Sequence, residues 1–480
     1  MQLSITNGFY ESASLPISAQ ECTNWYVSAV LTEGLSDRVL FGTPGISEIT
    51  TTGIVNQSNR GSFTKGGIPY FVNGTTLYRV DITIDAEKNE TFDFVALGTV
   101  SGTNKVFMRS NDNQLMIVVP GGNGYIYNET AGTPFEQITD LDFSAFGEIL
   151  SLESMDKFFI VSTDEKVLLA SAPNDGLSWA AIDHTVADSD PNSIEALIVV
   201  NSQLYVVGSQ VTSVYNNQGA SIGFPFTQLK DYEFDKGCFA PQSIVKLNQT
   251  FLMIGGGIDE SAAIWQFSGN GYRKVSTPAI DALLGRFTQE EISNAFSWAY
   301  GKVGSGFVGF TIANRTIVYD LATGLWHERK SVSDEIDSRW RVNSMTTAYG
   351  HLLVADSTDG RIGILSNETL TEYGEEIRRV VSSPNFTDGL NSHRVPMIEL
   401  TVESGVGNKD RPDPVITMDM SDDGGKTFTY QRARKIGKIG ETTKRAIWYK
   451  NGRFPRFRIL RFRLSDPVKA VIIRLDATIV

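Results

Sequence analysis

A short apolar strand followed by a Gly, Asn or Asp turn returns along most of the chain. Its copies are Ile68-Pro-Tyr-Phe-Val72, Gln114-Leu-Met-Ile-Val-Val119, Lys157-Phe-Phe-Ile-Val161, Gln203-Leu-Tyr-Val-Val207, Thr250-Phe-Leu-Met-Ile254, Gly306-Phe-Val-Gly-Phe310 and His351-Leu-Leu-Val-Ala355. Measured between Tyr70, Leu115, Phe158, Leu204, Phe251, Phe307 and Leu352, the steps are 45, 43, 46, 47, 56 and 45 residues. Most copies continue through a turn into a second strand, as at Thr75-Thr-Leu-Tyr-Arg79, Tyr125-Ile-Tyr127 and Thr316-Ile-Val-Tyr319. A strand-turn-strand unit recurring at this period predicts the blades of a β-propeller. Seven units are visible, and merging or closure strands put the expected number between six and eight. The competing reading is a β-sandwich with coincidental spacing.

The long step of 56 residues holds the one helical pattern, PAIDALLGRFTQEEISNAFSWAY over 278–300. Thr288 and Glu291 have capping-box spacing, and Ile292, Ala295, Phe296 and Ala299 fall on one helical face. That face is expected to pack on a blade. The glycine runs Gly121-Gly-Asn-Gly124 and Gly255-Gly-Gly257 read as hairpin turns. Ala322-Thr-Gly324 reads as a turn leading to a strand that carries Trp326 into the core. Residues 376–414, punctuated by Pro384, Pro396, Pro412 and Pro414, lose the blade pattern and read as an interdomain connection. Beyond them, Val415-Ile-Thr-Met418, a turn at Asp422-Asp-Gly-Gly425 and Phe428-Thr-Tyr430 predict a β-hairpin. The alternating runs Arg458–Leu464 and Val471–Leu475 follow as strands. The expected fold is all-β: a propeller with one helical insertion, then a C-terminal β-sandwich-like domain. Its parts are a strand-rich arm at 1–54 that packs on the propeller or a neighbour, the propeller at 55–395 and a basic β domain at 396–480.

Charge changes this picture at one end only. The chain of 480 residues carries a net charge of −13, yet 426–474 holds 15 Lys plus Arg against Glu441 and Asp466 alone. That segment is +13, and −13 less +13 leaves −26 for the remainder. Cys22 and Cys238 cannot build a disulfide framework and read as reduced thiols. His184, His327, His351 and His393 show no zinc-ligand spacing. No apolar run has membrane-spanning length, and MQLSITNGFYES lacks the cationic start and apolar core of a secretory signal.

Candidate chemistry is sparse. Ser421-Asp-Asp-Gly-Gly-Lys-Thr-Phe428 fits the Asp-box of sialidases and other propellers, where the box is a structural turn remote from the catalytic centre. A single copy outside the repeats, in a chain whose repeats are poor in arginine, does not make a sialidase site. Gly425-Lys-Thr427 lacks the leading glycine of a phosphate loop, since Met420 stands there, and a strand rather than a helix is predicted after it. Acidic residues are abundant, but nothing singles out a pair for glycoside cleavage. No catalytic, metal or cofactor residues are assigned, and no enzyme activity is expected.

The ordered series Ser421-Asp-Asp-Gly-Gly-x-Thr-Phe428, Gly437-Lys-Ile-Gly440, Arg445-x-x-Trp448, Gly452-Arg453, Phe457-Arg458 and Ser465-Asp-Pro-Val-Lys469 resembles the C-terminus of the packaged-DNA stabilisation proteins, the tail hub or nozzle proteins of short-tailed bacteriophages. Cys22-Thr-Asn-Trp-Tyr26 followed by Leu40-Phe-Gly-Thr-Pro-Gly-Ile46 resembles the N-terminal signature of the same family, and Val318–Arg329 also fits it. The resemblance implies a structural virion protein, made in the host cytoplasm and built into the tail. It implies a homo-oligomeric ring, expected as a hexamer, below the portal and adaptor ring. Such a ring continues the DNA channel, helps retain the packaged genome and presents sites for spike, fibre or needle proteins. Double-stranded DNA passes through it transiently. Within the basic domain, Arg432, Arg434, Lys435, Lys438, Lys444, Arg445, Arg453 and Arg456 are the candidate interaction residues. Three readings of them stay open: phosphate contact in the channel, docking of an acidic neighbour, or a solvated sheet face. The alternative function is a glycan-binding or glycan-cleaving propeller acting as a phage receptor-binding protein. A cellular propeller scaffold is the third class.

Overall fold

The computed structural model describes residues 1–30, 32, 34–51, 57–187, 193–219, 223–269, 271–302, 304–333, 335–387 and 392–480. Seven antiparallel sheets follow one another along the chain, beginning at Asn59–Lys65, Phe107–Ser110, Ile149–Met155, Ile194–Val200, Val245–Leu247, Phe296–Lys302 and Val342–Ala348. These first strands neighbour each other around a ring, and Val342–Ala348 returns to Asn59–Lys65. The described residues therefore form a seven-bladed propeller. Each of the seven marker residues lies on the second strand of its blade.

Why these segments form blades is visible in their burial. The second strands are apolar on both faces: Leu115–Val118 and Phe251–Ile254 are buried throughout. One face packs on the preceding blade and the other on the next, so continuous apolar runs replace alternation. Separate cores form between successive blades. Tyr70, Leu77, Leu115 and Tyr127 fill the space between the first two. Ile198, Val207, Phe251 and Phe267 fill that between the fourth and fifth.

The ring is closed by the N-terminal arm. Gly45–Thr51 pairs with Arg361–Ser366 as the outer strand of the seventh blade, with Ile46 opposite Leu365. The rest of the arm joins the C-terminal region. One sandwich sheet runs in the order Ala446–Tyr449, Met397–Val402, Val471–Thr478, Arg38–Gly42, Trp25–Ala29, with Gln2–Leu3 also on Val471–Thr478. The facing strands run Cys22–Thr23, Arg379–Ser382, Ile459–Leu464, Val415–Ser421, Arg432–Lys435. Thr23 also pairs in parallel with Glu328 of the sixth blade, so this sheet continues into the propeller. The sandwich core, including Trp25, Leu400, Trp448, Phe462 and Leu475, is continuous with that of the fifth and sixth blades around Ile254, Phe310 and Trp326.

Within the stretch 376–414, Arg379–Ser382 and Met397–Val402 are strands of the sandwich. Residues 388–391 of that stretch, and the expected limit between 54 and 55, lie outside the described residues.

Two local expectations need correction. The helical pattern over 278–300 forms two short helices, α1 (Pro278–Leu284) and α2 (Gln289–Ser293). The capping box at Thr288 and Glu291 is formed as expected, but Phe296 and Ala299 lie on Phe296–Lys302, the inner strand of the sixth blade. The helical spacing there coincides with a Phe-Ser-Trp-Ala-Tyr alternation, and pairing with Ser305–Ile312 decides in favour of strand. Gly255 and Gly256 are likewise strand, not turn; a Cβ at Gly255 would lie 1.8 Å from the Gly237 carbonyl oxygen, so the run permits close strand approach.

Candidate functional site

The hairpin over 415–435 forms around the expected turn, but its second strand is Arg432–Lys435 and not the expected 428–430, because the Asp423-capped turn extends past Thr427. Asp423 caps the turn: its Oδ1 accepts the Lys426 and Thr427 amides, each at 2.9 Å, and its Oδ2 accepts the Thr427 hydroxyl at 2.6 Å. These bonds, led by Thr427, hold the Asp423 carboxyl far below the usual carboxylate range. Val415–Ser421 then pairs with Arg432–Lys435, placing Met418 opposite Arg432.

Much of the +13 segment is neutralised inside the molecule. Asp419, 3% exposed, accepts Arg461 Nη2 at 3.0 Å and Arg463 Nη1 at 2.5 Å. Asp422 holds Arg458 bidentately, at 2.6 and 2.7 Å. Glu399 grips Arg445 through both oxygens, at 2.6 and 2.5 Å. Asp413 pairs with Lys435, and Glu403 with Lys469 at 2.7 Å. Every one of these acids lies outside 426–474. Counting charge within the segment could not find them, because pairing across a sheet brings distant positions together.

The eight candidate residues thus separate into two groups. Arg432 donates to the Tyr449 carbonyl at 2.6 Å and to Asn451 Oδ1 at 2.8 Å, while Arg434 donates to the Ile447 carbonyl at 2.6 Å. Trp448 Nε1 returns a bond to the Arg432 carbonyl at 2.7 Å. With Lys435 and Arg445, these four fasten strands of the sandwich. Lys438, Lys444, Arg453 and Arg456 are exposed, as is Lys450, and none has a carboxylate at ion-pair distance among the described residues. Arg456 lies only over the Phe457 ring, at 5.5 Å.

The propeller axis is a second candidate. Its inner strands enclose a cavity of about 520 Å³ lined by groups that include Arg60, Lys105, Arg109, Glu153 and Lys246. Arg109 Nε and Glu153 Oε1 pair at 2.6 Å. Lys105 Nζ donates to the Asn343 carbonyl at 2.9 Å and sits 3.6 Å from the Phe296 ring centroid. Burial, with Arg339 nearby, holds its ammonium well below the usual lysine range. Lys246 donates to the Val199 carbonyl at 3.0 Å, and Arg60 is consumed by the carbonyls of Gly74, Val100, Ser101 and Asn104. Among the described residues no group of three or more His, Cys, Asp or Glu side chains could hold a metal ion. Cys22 and Cys238 are free and buried, and burial pushes both thiols up to about 12. These axial cations escaped the sequence reading because each is a lone charge beside an apolar inner strand.

A β-propeller whose N-terminal arm also builds a β-sandwich defines a two-module all-β protein. Family models assign it further: residues 1–370 match "Bacteriophage P22 Gp10, beta-propeller" and residues 378–480 match "Bacteriophage P22 Gp10, beta-sandwich". The chain belongs to this family of structural phage proteins, as the terminal motifs implied. Among solved structures it is similar to the WD40 β-propeller domain of Doa1, at 12% identity and a TM-score of 0.40, covering 67% of this chain and 97% of that one. It is also similar to the computationally designed Ika8 protein, at 11% identity and a TM-score of 0.39, covering 67% and 99%. A search of curated proteins finds no match.

Proposed function

We propose that the chain is a subunit of a tail hub or nozzle ring, and that its basic sandwich surface docks an acidic neighbour. The observation that carries this reading is the division of the basic segment. Some of its members are paired with Asp419, Asp422 and Glu399, while Lys438, Lys444, Lys450, Arg453 and Arg456 have no ion pair among the described residues. Exposed cations in the turns that flank the sandwich strands steer and orient an anionic partner. The remainder of the chain, at −26, supplies such a surface on an adjacent copy.

The axial cavity does not compete as a DNA passage. At about 520 Å³ it has the size of a small-molecule pocket, not of a duplex. In this reading DNA passes through the lumen of the assembled ring, of six copies, below the portal and adaptor. A strongly cationic lumen would retain DNA, because each neutralised phosphate adds a salt-dependent term to affinity. The exposed cations therefore face protein, and the ring presents other surfaces to spike, fibre or needle proteins.

The test is the double reversal Arg453→Glu/Arg456→Glu. Assembly between subunits or onto the adaptor should be impaired, and more so at low salt, where the lost attraction is least screened. Normal assembly with leakage of packaged DNA would contradict docking and assign these cations to DNA contact.

A further inference from the structure

The arm, the 367–370 loop and the 469–471 turn enclose a cavity of about 480 Å³ that none of the functions above uses. Its wall includes Gly42, Thr43, Asn367, Thr369, Arg379 and Lys469. Arg379 is 2% exposed, and its Nε and Nη1 make no hydrogen bond among the described residues. The buried carboxylate whose charge acts on Arg379, Glu372, is already engaged. Glu372 accepts Trp340 Nε1 at 2.8 Å and the Ser331 hydroxyl at 2.6 Å, and it pairs with Arg329 at 3.6 Å. The cluster thus holds two guanidinium groups against one carboxylate. Glu368 also lines the cavity, but it is exposed and forms no ion pair with Arg379.

The glycine at 42 gives a second, independent observation. Its φ is not in the left-handed region, so the backbone does not require glycine there. Space does: a Cβ would lie 2.7 Å from Arg379 Nε and 3.0 Å from the Ala470 Cβ. The absent side chain lets the guanidinium lie directly against the 42–43 backbone beside the cavity.

We propose that this cavity is an anion site in which Arg379 receives a carboxylate or phosphate group. A buried guanidinium without its full set of acceptors is costly, and a planar anion meets its fork geometry with paired hydrogen bonds. Lys469, at the exposed rim and held by Glu403, adds a second positive charge. The volume suits a small molecule or one anionic headgroup. Occupancy would fasten the propeller to the sandwich, since Arg379 begins a sandwich strand and 367–370 follows the last blade.

Isothermal titration of the full chain with citrate and with inorganic phosphate, at constant ionic strength in chloride, tests this. Saturable binding of at least one of them is expected at one site per chain; the tighter of the two identifies the class of anion. Arg379→Lys keeps the charge but loses the fork and should weaken binding at least tenfold. Gly42→Ala keeps every charge but crowds Nε and should do the same. Circular dichroism establishes that each variant is folded. No saturable binding, or equal affinity in the parent and both variants, would overturn the proposal. If neither variant folds, a crystal structure of the parent with citrate decides. Density beside Arg379 supports the site, and its absence there refutes it.

Discussion

Asp419 shows how much a single residue can carry in this sandwich. It is 3% exposed and faces both Arg461 and Arg463. Removing one partner of such an arrangement leaves buried charge uncompensated, which costs about 3–5 kcal/mol. Asp419→Ala should lower stability by that order in denaturant titration, whereas Lys450→Ala, exposed and unpaired, should change it by less than about 0.5 kcal/mol. His327 supplies a pH-dependent counterpart. Burial, and then the Arg329 charge, push its imidazolium down to about 3. The unfolded chain therefore binds the proton more readily than the folded one. The contribution of neutral His327 is complete above about 6.5 and is lost progressively as pH falls towards 3. At pH 5 the loss is about 2 kcal/mol. His327→Phe should flatten the acid limb of the stability profile between pH 6.5 and 4. An unchanged limb would remove His327 from the account.

Among the elements, the closing strand and α2 make separable predictions. Ile46 is fully buried where Gly45–Thr51 completes the seventh blade. Ile46→Ala should cost about 2–5 kcal/mol and loosen the ring at one seam, seen as faster amide exchange across Val342–Ser366. Thr288→Ala removes the cap that accepts the Glu291 amide at 3.2 Å and should cost about 1 kcal/mol. The blades were legible in the sequence because each rests on a local signal, an apolar run and a turn. Tyr70 through Leu352 accordingly all fall on second strands. The cap at Thr288 was legible for the same reason. The strand at Phe296–Lys302 was not, because Ile292, Ala295, Phe296 and Ala299 satisfy a helical period that long-range pairing overrides. The distribution of the arm between the seventh blade and the sandwich was equally hidden. Nothing in Gly45–Thr51 announces a partner more than 300 residues away at Arg361–Ser366.

At the scale of the whole molecule, the arm and the sandwich form one load path. Trp25–Ala29 and Arg38–Gly42 belong to the sandwich, Gly45–Thr51 belongs to the propeller, and the sandwich core continues into the fifth and sixth blades. A subunit joined in this way suits an assembly that must keep its shape while neighbours bind it. The basic end of the chain was the conspicuous feature of the sequence, and its position on the sandwich could be anticipated. Which of its cations are free could not, because Glu21, Glu399, Asp413, Asp419 and Asp422 reach them only through the fold. Electron microscopy of the virion with the chain labelled tests whether it is a ring subunit of a phage tail. A closed ring of six copies is expected at the tail axis, with the exposed cations of 438–456 against a protein neighbour. A chain found only at the tips of fibres or spikes, or absent from the tail, would contradict it.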